Sequence, residues 1–162
     1  MKIERKYLAH YVDAAMPGQK STPKYVRIGQ DLEEYSPELS ANVEKKQNIL
    51  GETNVILTSY EKSGSVETYY AQQGEALFER LQDIVDHCRI LDQCSTTVVE
   101  VHLWKTVDAT KGYPAVLDDA VIEVTSYGGD NTGYQIPFTL HYAGKPRQGY
   151  FKLETGVFTP AE

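Results

Sequence analysis

The chain has 162 residues, of which 41 % are hydrophobic and 24 % are charged, as in folded globular proteins. This length predicts a single domain. Lysine and arginine contribute 16 positive charges against 23 carboxylates, a formal net charge of −7. No basic run stands out, so the charge pattern of a nucleic-acid-binding protein is missing. The sequence carries neither a secretory signal nor the roughly 20 apolar residues of a membrane helix, which predicts a soluble protein made in a cytoplasm.

The first part of the chain is predicted to be an arm followed by a strand. Residues 7–12 read as extended, and the polar stretch after them, with Pro17, Gly18 and Pro23, is typical of a linker. We therefore expect residues 1–25 to form an N-terminal arm on the single domain 1–162. Residues 25–35 begin with a β-like pattern and end acidic, which predicts a strand that Pro37 interrupts.

The next segment is polar and carries an isolated apolar pair. Residues 39–47 are ambiguous, 54–61 predict a strand and 62–66 a flexible connection. Ile49 and Leu50 lie in an otherwise hydrophilic loop, and such apolar tips often mark a contact with another chain. We expect residues 45–66 to form an extended intersubunit loop. Its predicted assembly contacts are Asn48, Ile49, Leu50, Gly51, Glu52 and Thr53.

One amphipathic helix is predicted after Gly74. Leu77, Leu81 and Ile84 recur at three- and four-residue intervals, whereas intervening residues such as Glu79 and Arg80 are expected to be solvated. The helix should pack on a sheet. Both cysteines, Cys88 and Cys94, are expected to be free structural thiols, because cytoplasmic synthesis disfavours a bridge.

The second half of the chain predicts β-structure. Val99, Val101 and Leu103 mark one face of a strand. Residues 120–144 alternate apolar and polar positions on both sides of the turn GGDNTG, which predicts a β-hairpin, and a short closing hairpin follows near Gly156. With one helix among about eight strands, the predicted fold is mostly β: an antiparallel sandwich or partly open barrel with one flanking helix and a protruding loop.

The search for catalytic groups gives no convincing site. The four histidines have no metal-binding or catalytic spacing, although His102 and His141 could meet across strands. GGDNTG lacks the lysine and the following helix of a phosphate loop, so it predicts a turn. Adjacent carboxylates such as Asp118 and Asp119 point to opposite faces of a strand. We therefore expect no enzymatic activity, no cofactor and no metal.

Tyrosine is unusually frequent, with twelve residues against one tryptophan. Tyrosine is enriched where protein surfaces meet. It is equally suited to the rim of a β-rich core, and the sequence leaves the two interpretations open.

Several segments, taken in order, resemble the major tail tube proteins of long, non-contractile-tailed bacteriophages. They are KYLAHYVDA, YVRIGQDLEEY, NILGET, YYAQQGEALFERLQDIVD, TTVVEVHLW, SYGGDNTGYQIPF and YAGKPRQGYF. The resemblance implies a β-sandwich with a flanking helix, hexameric rings stacked into a hollow tube, and strands of six subunits joined around a lumen that carries DNA without binding it specifically. It also implies tape measure, tail terminator and distal tail proteins as partners, and location in the virion tail after assembly in the host cytoplasm.

The same resemblance predicts an acidic lumen, because the family's inner barrel includes the segments QDLEEY and NVEKK. The predicted lumen-facing carboxylates are Asp31, Glu33, Glu34 and Glu44. Two alternatives remain: the tube protein of a contractile tail or a tail-derived bacteriocin, and, in another class, a monomeric carbohydrate-binding β-sandwich. A small hydrolase is a distant third because no convergent site is visible.

Overall fold

The computed structural model describes residues 1–19, 22–30 and 32–161. These residues form one α-helix, Ala76–His87 (α1), and eleven β-strands. The strands are Leu8–Asp13 (β1), Tyr25–Ile28 (β2), Ala41–Gln47 (β3), Thr53–Tyr60 (β4), Ser63–Val66 (β5), Ser95–His102 (β6), Tyr113–Val124 (β7), Gly128–Asp130 (β8), Gly133–Gln135 (β9), Phe138–Lys152 (β10) and Val157–Pro160 (β11).

Seven strands form one curled antiparallel sheet, a half-barrel. Their order is β11-β10-β7-β6-β1-β2, and β5 pairs with the first part of β10, on the side away from β7. Two ribbons of two strands each, β3–β4 and β8–β9, stand apart from this sheet. The predicted mostly-β class with one flanking helix is confirmed, and the curled sheet corresponds to the partly open barrel.

The predicted central hairpin is the longest pairing in the sheet. β7 and β10 run antiparallel, with Val124 opposite Phe138 and Ile122 opposite Leu140. The side chains of Ile122, Phe138 and Leu140 are buried, as their period-two spacing predicts. GGDNTG lies in the turn, where β8 and β9 add a short ribbon. The closing hairpin, β10 with β11, is also confirmed.

Helix α1 covers one face of the sheet. Leu77, Leu81 and Ile84 are buried in the main core, which confirms the predicted apolar stripe. Arg80 is a correction, because the sequence predicts it to be solvated and its side chain is buried. Its guanidinium donates to the carbonyl oxygens of Ala15, Gln93 and Ser95. These acceptors replace the water molecules that the guanidinium would contact if it were exposed. Burial lowers the pKa of Arg80.

The sheet is apolar on both faces at β6. Val98 packs into the main core beneath α1, whereas Val99 and Val101 pack on the opposite face with Ala115 and Phe151. The predicted common face of Val99 and Val101 is therefore confirmed. No helix in the described residues has the length and hydropathy needed to cross a membrane.

Two segments differ from the sequence prediction. The ambiguous polar segment is strand β3, and the predicted flexible connection at 62–66 is wrong because it contains β5, which pairs with β10 from Ser63 opposite His141 to Val66 opposite Phe138. Within the predicted arm, β1 lies between β6 and β2, and its Ala9 and Val12 are buried.

Candidate assembly surface

The β3–β4 ribbon projects from the sheet without any side chain of its own being buried. Every residue from 41 to 60 is exposed, and within residues 1–19, 22–30 and 32–161 the two strands pair only with each other. Eight residues of β4 extend about 26 Å at roughly 3.3 Å per residue. A two-stranded hairpin of this kind is marginally stable by itself in water. A hairpin of this kind is therefore expected to be stabilised by packing against a second surface.

The tip of this hairpin is a hydrogen-bonded turn rather than an open loop. The side-chain oxygen of Asn48 accepts from the backbone N–H groups of Leu50 and Glu52, both at 3.0 Å. Gly51 has φ +81°, a left-handed conformation that glycine adopts without strain. The turn holds the apolar pair outward, with Ile49 fully exposed and Leu50 77 % exposed. No other part of the described chain covers these two side chains.

One face of the hairpin is apolar. Cross-strand neighbours share a face, and Val43 lies opposite Leu57 while Lys45 lies opposite Val55. Tyr60, opposite Ala41, continues the same face. We call Val43, Val55, Leu57 and Tyr60 the apolar face; all four are roughly half exposed or more.

The other face of the hairpin carries Glu44, which lies opposite Ile56. Of the predicted lumen-facing carboxylates, Glu44 therefore belongs to the hairpin, whereas Glu33 and Glu34 are exposed on the segment that follows β2. Asp31 lies outside the described residues. That these side chains face a lumen stays a prediction.

Lys62 anchors the base of the hairpin to the sheet. Its ammonium is 3.3 Å from a carboxylate oxygen of Asp118 and 3.9 Å from one of Glu100, and it lies 4.6 Å from the ring centre of Tyr142. The backbone carbonyl of Lys62 also accepts a hydrogen bond from the Tyr142 N–H at 2.9 Å. The residue two positions after β4 is thus held by contacts to β6, β7 and β10.

Two imidazoles complete the charge environment of Glu100. His102 Nε2 is 3.0 Å from one carboxylate oxygen, and buried His10 Nε2 is 3.4 Å from the other. The His10 contact is longer than a well-formed hydrogen bond. His10, His102 and Lys62 together lower the pKa of Glu100 to about 2, the contact with His10 being the largest cause, although burial opposes the shift.

Two tyrosines close the cluster. The hydroxyl oxygens of Tyr35 and Tyr142 are 2.6 Å apart, and the Tyr35 ring meets the His10 ring edge-on at 4.8 Å. Burial raises the pKa of Tyr35 to about 12 and raises that of Tyr142 as well. We call His10, Tyr35, Lys62, Glu100, Asp118 and Tyr142 the anchor cluster. Its side chains contact one another beneath the hairpin, and buried His10 Nε2 is left without a well-formed hydrogen bond to any described residue.

Sequence reasoning missed the anchor cluster because its members come from six separate places in the chain. No local pattern indicates it, because only the pairing of β1 with β6 in the folded chain puts His10 directly opposite Glu100. The expectation for the pair Asp118 and Asp119 is confirmed, since Asp118 is buried and Asp119 is exposed on the other face.

The other chemistry-bearing residues stay apart. His102 contacts Glu100, and His141 contacts Glu123 at 2.7 Å, so the two histidines do not meet. The part of the chain that the structure describes contains no group of three or more histidine, cysteine, aspartate or glutamate side chains arranged to hold a metal ion. Asp130, in GGDNTG, accepts from the backbone and hydroxyl of Thr132 and serves the turn, as predicted.

Most of the tyrosines belong to the core or its rim. Two of the twelve are buried and six are half-buried, whereas the exposed four are Tyr7, Tyr60, Tyr127 and Tyr134. Within one chain, the core interpretation accounts for eight of them, and the exposed ones include Tyr60 on the hairpin.

The sheet also has open edges. Among the strands of the described residues, β2 has β1 as its one neighbour, and at the opposite end β5 and β11 each flank β10 alone. An isolated bridge from Ser63 to Glu38 covers the start of β5, so its edge is open beyond that residue. Unpaired strand edges expose backbone donors and acceptors that another chain can pair with. The half-barrel thus offers an open edge at each end, in addition to the hairpin.

The curled sheet with one flanking helix is similar to the fold of a solved tail tube protein. The solved structure of the SPP1 tail tube, a hybrid of solid-state NMR and cryo-EM data, matches with a TM-score of 0.63 at 16 % sequence identity, covering 93 % of this chain and 81 % of that chain. No protein-family profile matches the chain, and no curated protein sequence matches it. The likeness therefore shows a shared fold.

Proposed function

We propose that this protein is the structural subunit of a bacteriophage tail tube. The observation that carries the proposal is the fully exposed β3–β4 hairpin, with its apolar tip at Ile49 and Leu50, on a fold shared with the SPP1 tail tube. Covering such a hairpin removes apolar surface from water, worth roughly 25 cal/mol per Å². Repetition of that contact from copy to copy supplies the driving force for assembly.

The proposed assembly is a stack of hexameric rings. The open edges at β2 and at β5 and β11 support lateral joining, because antiparallel or parallel pairing between neighbours would satisfy their backbone groups. The hairpin, which is separate from the sheet, is then available for contacts between rings. Six subunits with a formal charge of −7 each give a ring of about −42.

The proposed role is a conduit for DNA delivery to the host rather than catalysis. An acidic lumen repels phosphates and lets DNA pass, whereas a basic wall would bind it through counterion release. In the virion tail the tube would contact tape measure, tail terminator and distal tail proteins, after assembly in the host cytoplasm. The non-contractile type of tail is favoured by the sequence resemblance.

Electron microscopy tests the proposal. Purified wild-type protein, concentrated in stages and negatively stained, is expected to form tubes of uniform diameter with six-fold end views and a central hole. Sedimentation of the same samples should show loss of monomer as the tubes appear. Protein that stays monomeric at every concentration, or that forms only irregular aggregates, contradicts the proposal.

A further inference from the structure

A cleft lies between the start of β1 and the segment that follows β2, and it encloses about 570 Å³. This size is typical of a binding site. Its apolar lining residues, Leu8, Ile28 and Leu32, are half-buried, whereas His10 and Tyr35 in the same lining are buried. We call it the β1–β2 cleft. Its interior can therefore cover an apolar side chain.

The charged lining of this cleft is mostly cationic. Arg5, Lys6 and Arg27 line it and are exposed, and Glu33 is the one carboxylate among the described lining residues. The chain as a whole has a formal net charge of −7. The cleft thus concentrates positive charge on a protein of the opposite sign, which favours an anionic partner at this place.

Backbone carbonyl groups hold the two arginine side chains beside one short stretch of chain. Arg27 donates to the Lys6 carbonyl oxygen at 2.9 Å, and Arg5 donates to the carbonyl oxygens of Leu8 and Tyr35. The first two acceptors are two residues apart, so they lie within about 7 Å of each other. These bonds position both guanidinium groups and leave further N–H donors of each unused by the backbone.

The positive charges of Arg5 and Arg27 are not neutralised within the part of the chain that the structure describes. Neither guanidinium forms an ion pair with a described carboxylate, whereas Arg89 and Arg147 each pair with an aspartate. A carbonyl oxygen accepts a hydrogen bond but carries no net charge. Two neighbouring guanidinium groups without a counter-ion form a site that suits a carboxylate or a phosphate.

We propose that the β1–β2 cleft binds an acidic peptide segment of a partner protein. Arg5 and Arg27 hold one carboxylate of that segment, because the planar N–H fork of a guanidinium matches the two oxygens of a carboxylate. A neighbouring apolar side chain of the segment packs against the apolar lining. The inference goes beyond the proposed tube and does not rest on it, since a single copy contains the whole cleft.

The same charges favour a peptide over a nucleic acid. Glu33 at the cleft and the net charge of −7 repel a chain of phosphates. An isolated carboxylate meets less of this repulsion, and apolar neighbours in a peptide use the part of the lining that a phosphate leaves unfilled.

Thermophoresis of dilute, monomeric protein tests the inference. The dye is attached to the exposed thiol of Cys88, which does not line the cleft, while Cys94 is buried. The probe is an acetylated and amidated hexapeptide with two glutamates between two leucines. We expect it to bind about ten-fold more tightly than the same peptide with glutamines, because charge-assisted hydrogen bonds are the stronger ones.

Three variants locate the binding. Arg27→Gln should weaken it about five-fold, because one guanidinium is lost. Lys105→Gln, an equal change of charge at an exposed position outside the lining, should leave it unchanged. Glu33→Gln removes the opposing carboxylate and should tighten binding about two-fold, a gain that a folding defect does not produce.

Several outcomes would overturn the inference. They are the absence of binding by wild type, equal binding of the two peptides, and equal binding by wild type and Arg27→Gln. Displacement of the peptide by inorganic phosphate, or tighter binding of a DNA hexanucleotide, would identify a phosphate site instead. Asp31 lies outside the described residues, and binding seen only in Asp31→Asn would show that the chain's own carboxylate occupies the cleft. Each result is independent of whether the protein forms tubes.

Discussion

The hydroxyl groups of Tyr35 and Tyr142 lie 2.6 Å apart and join residues that are 107 positions apart in the chain. Tyr142 belongs to β10, whereas Tyr35 precedes the hairpin. The pair therefore closes the sheet over the anchor cluster at the point from which the hairpin projects.

Gly64→Ala tests this packing. A Cβ atom at position 64 would lie 2.4 Å from the Tyr35 hydroxyl oxygen and 2.7 Å from the adjacent ring carbon. We expect the variant to lower the free energy of unfolding by about 2 kcal/mol, as overpacking does, measured by urea denaturation. Gly18→Ala is the matched control, because no atom lies within 4 Å of its added methyl group. Equal stability of the two variants would contradict the contact.

Acid is expected to loosen the anchor cluster through Glu100. Folding lowers the pKa of Glu100 from its ordinary value of 4.5 to about 2, so the unfolded chain binds the proton more readily. The ionised Glu100 carboxylate therefore contributes about 3 kcal/mol to the free energy of unfolding. This contribution is present in full above about pH 4.5 and is lost as the pH falls to about 2. Urea denaturation across this range measures it.

The control for that prediction is Glu100→Gln. The variant should be less stable than wild type at neutral pH, and its stability should depend less on pH between about 4.5 and 2. Glu79→Gln, at an exposed position on α1, should keep the wild-type slope. A Glu100→Gln slope equal to that of wild type would show that Glu100 does not contribute.

Removal of the Lys62 ammonium should destabilise the chain. Lys62→Met leaves the carboxylates of Glu100 and Asp118 without their ammonium partner, and we expect a loss of about 2 kcal/mol. Adding Asp118→Asn should restore part of it, because the unpaired charge is then gone. Lys2→Met, at an exposed position, should have little effect. Thermal unfolding of wild type, the two single variants and the double variant measures these differences. If the double variant is no more stable than Lys62→Met, Lys62 and Asp118 do not form a stabilising pair.

The sequence predicted the elements whose signal is local and failed where it is not. The spacing of Leu77, Leu81 and Ile84 predicts α1, and the alternation of apolar and polar residues around Phe138 predicts β10. Strand β3 was ambiguous because all its residues are exposed, so no apolar alternation exists to detect. β5 is rich in serine and glycine, and it forms a strand because β10, which lies more than 70 residues further along the chain, pairs with it.

Only part of the candidate site has a local signal in the sequence. The tip at Ile49 and Leu50 was visible because apolar residues in a polar segment stand out. The anchor cluster was not, since Lys62, Glu100 and Asp118 meet only after four strands have paired. The prediction for Arg80 was wrong because the spacing of residues along a helix does not show which other segments pack against it. Three carbonyl oxygens from such segments accept hydrogen bonds from the buried guanidinium.

Reversal of charge on the proposed inner wall should slow DNA passage. Single lysine substitutions at Glu33, Glu34 and Glu44 are each expected to permit tubes but to slow genome ejection. The slowing should be stronger at low salt, because screening limits the effect to about 8 Å at physiological ionic strength. Ejection from reconstituted phage is timed by dye fluorescence. Glu79→Lys, on the exposed side of α1, is the charge-matched control. Equal rates in all variants would contradict the acidic-lumen hypothesis.

Exchange of the hairpin tests the central claim most directly. The Glu61 N–H donates to the Ser40 carbonyl at 3.2 Å, so replacing residues 41–60 with an Asn-Gly turn closes the chain without disturbing the sheet. Ile49→Ser with Leu50→Ser keeps the hairpin and removes only its apolar tip. Both variants and wild type are compared by sedimentation velocity and negative-stain electron microscopy. We expect folded monomers from both variants and tubes from wild type; normal tubes from the protein without the hairpin would contradict the account.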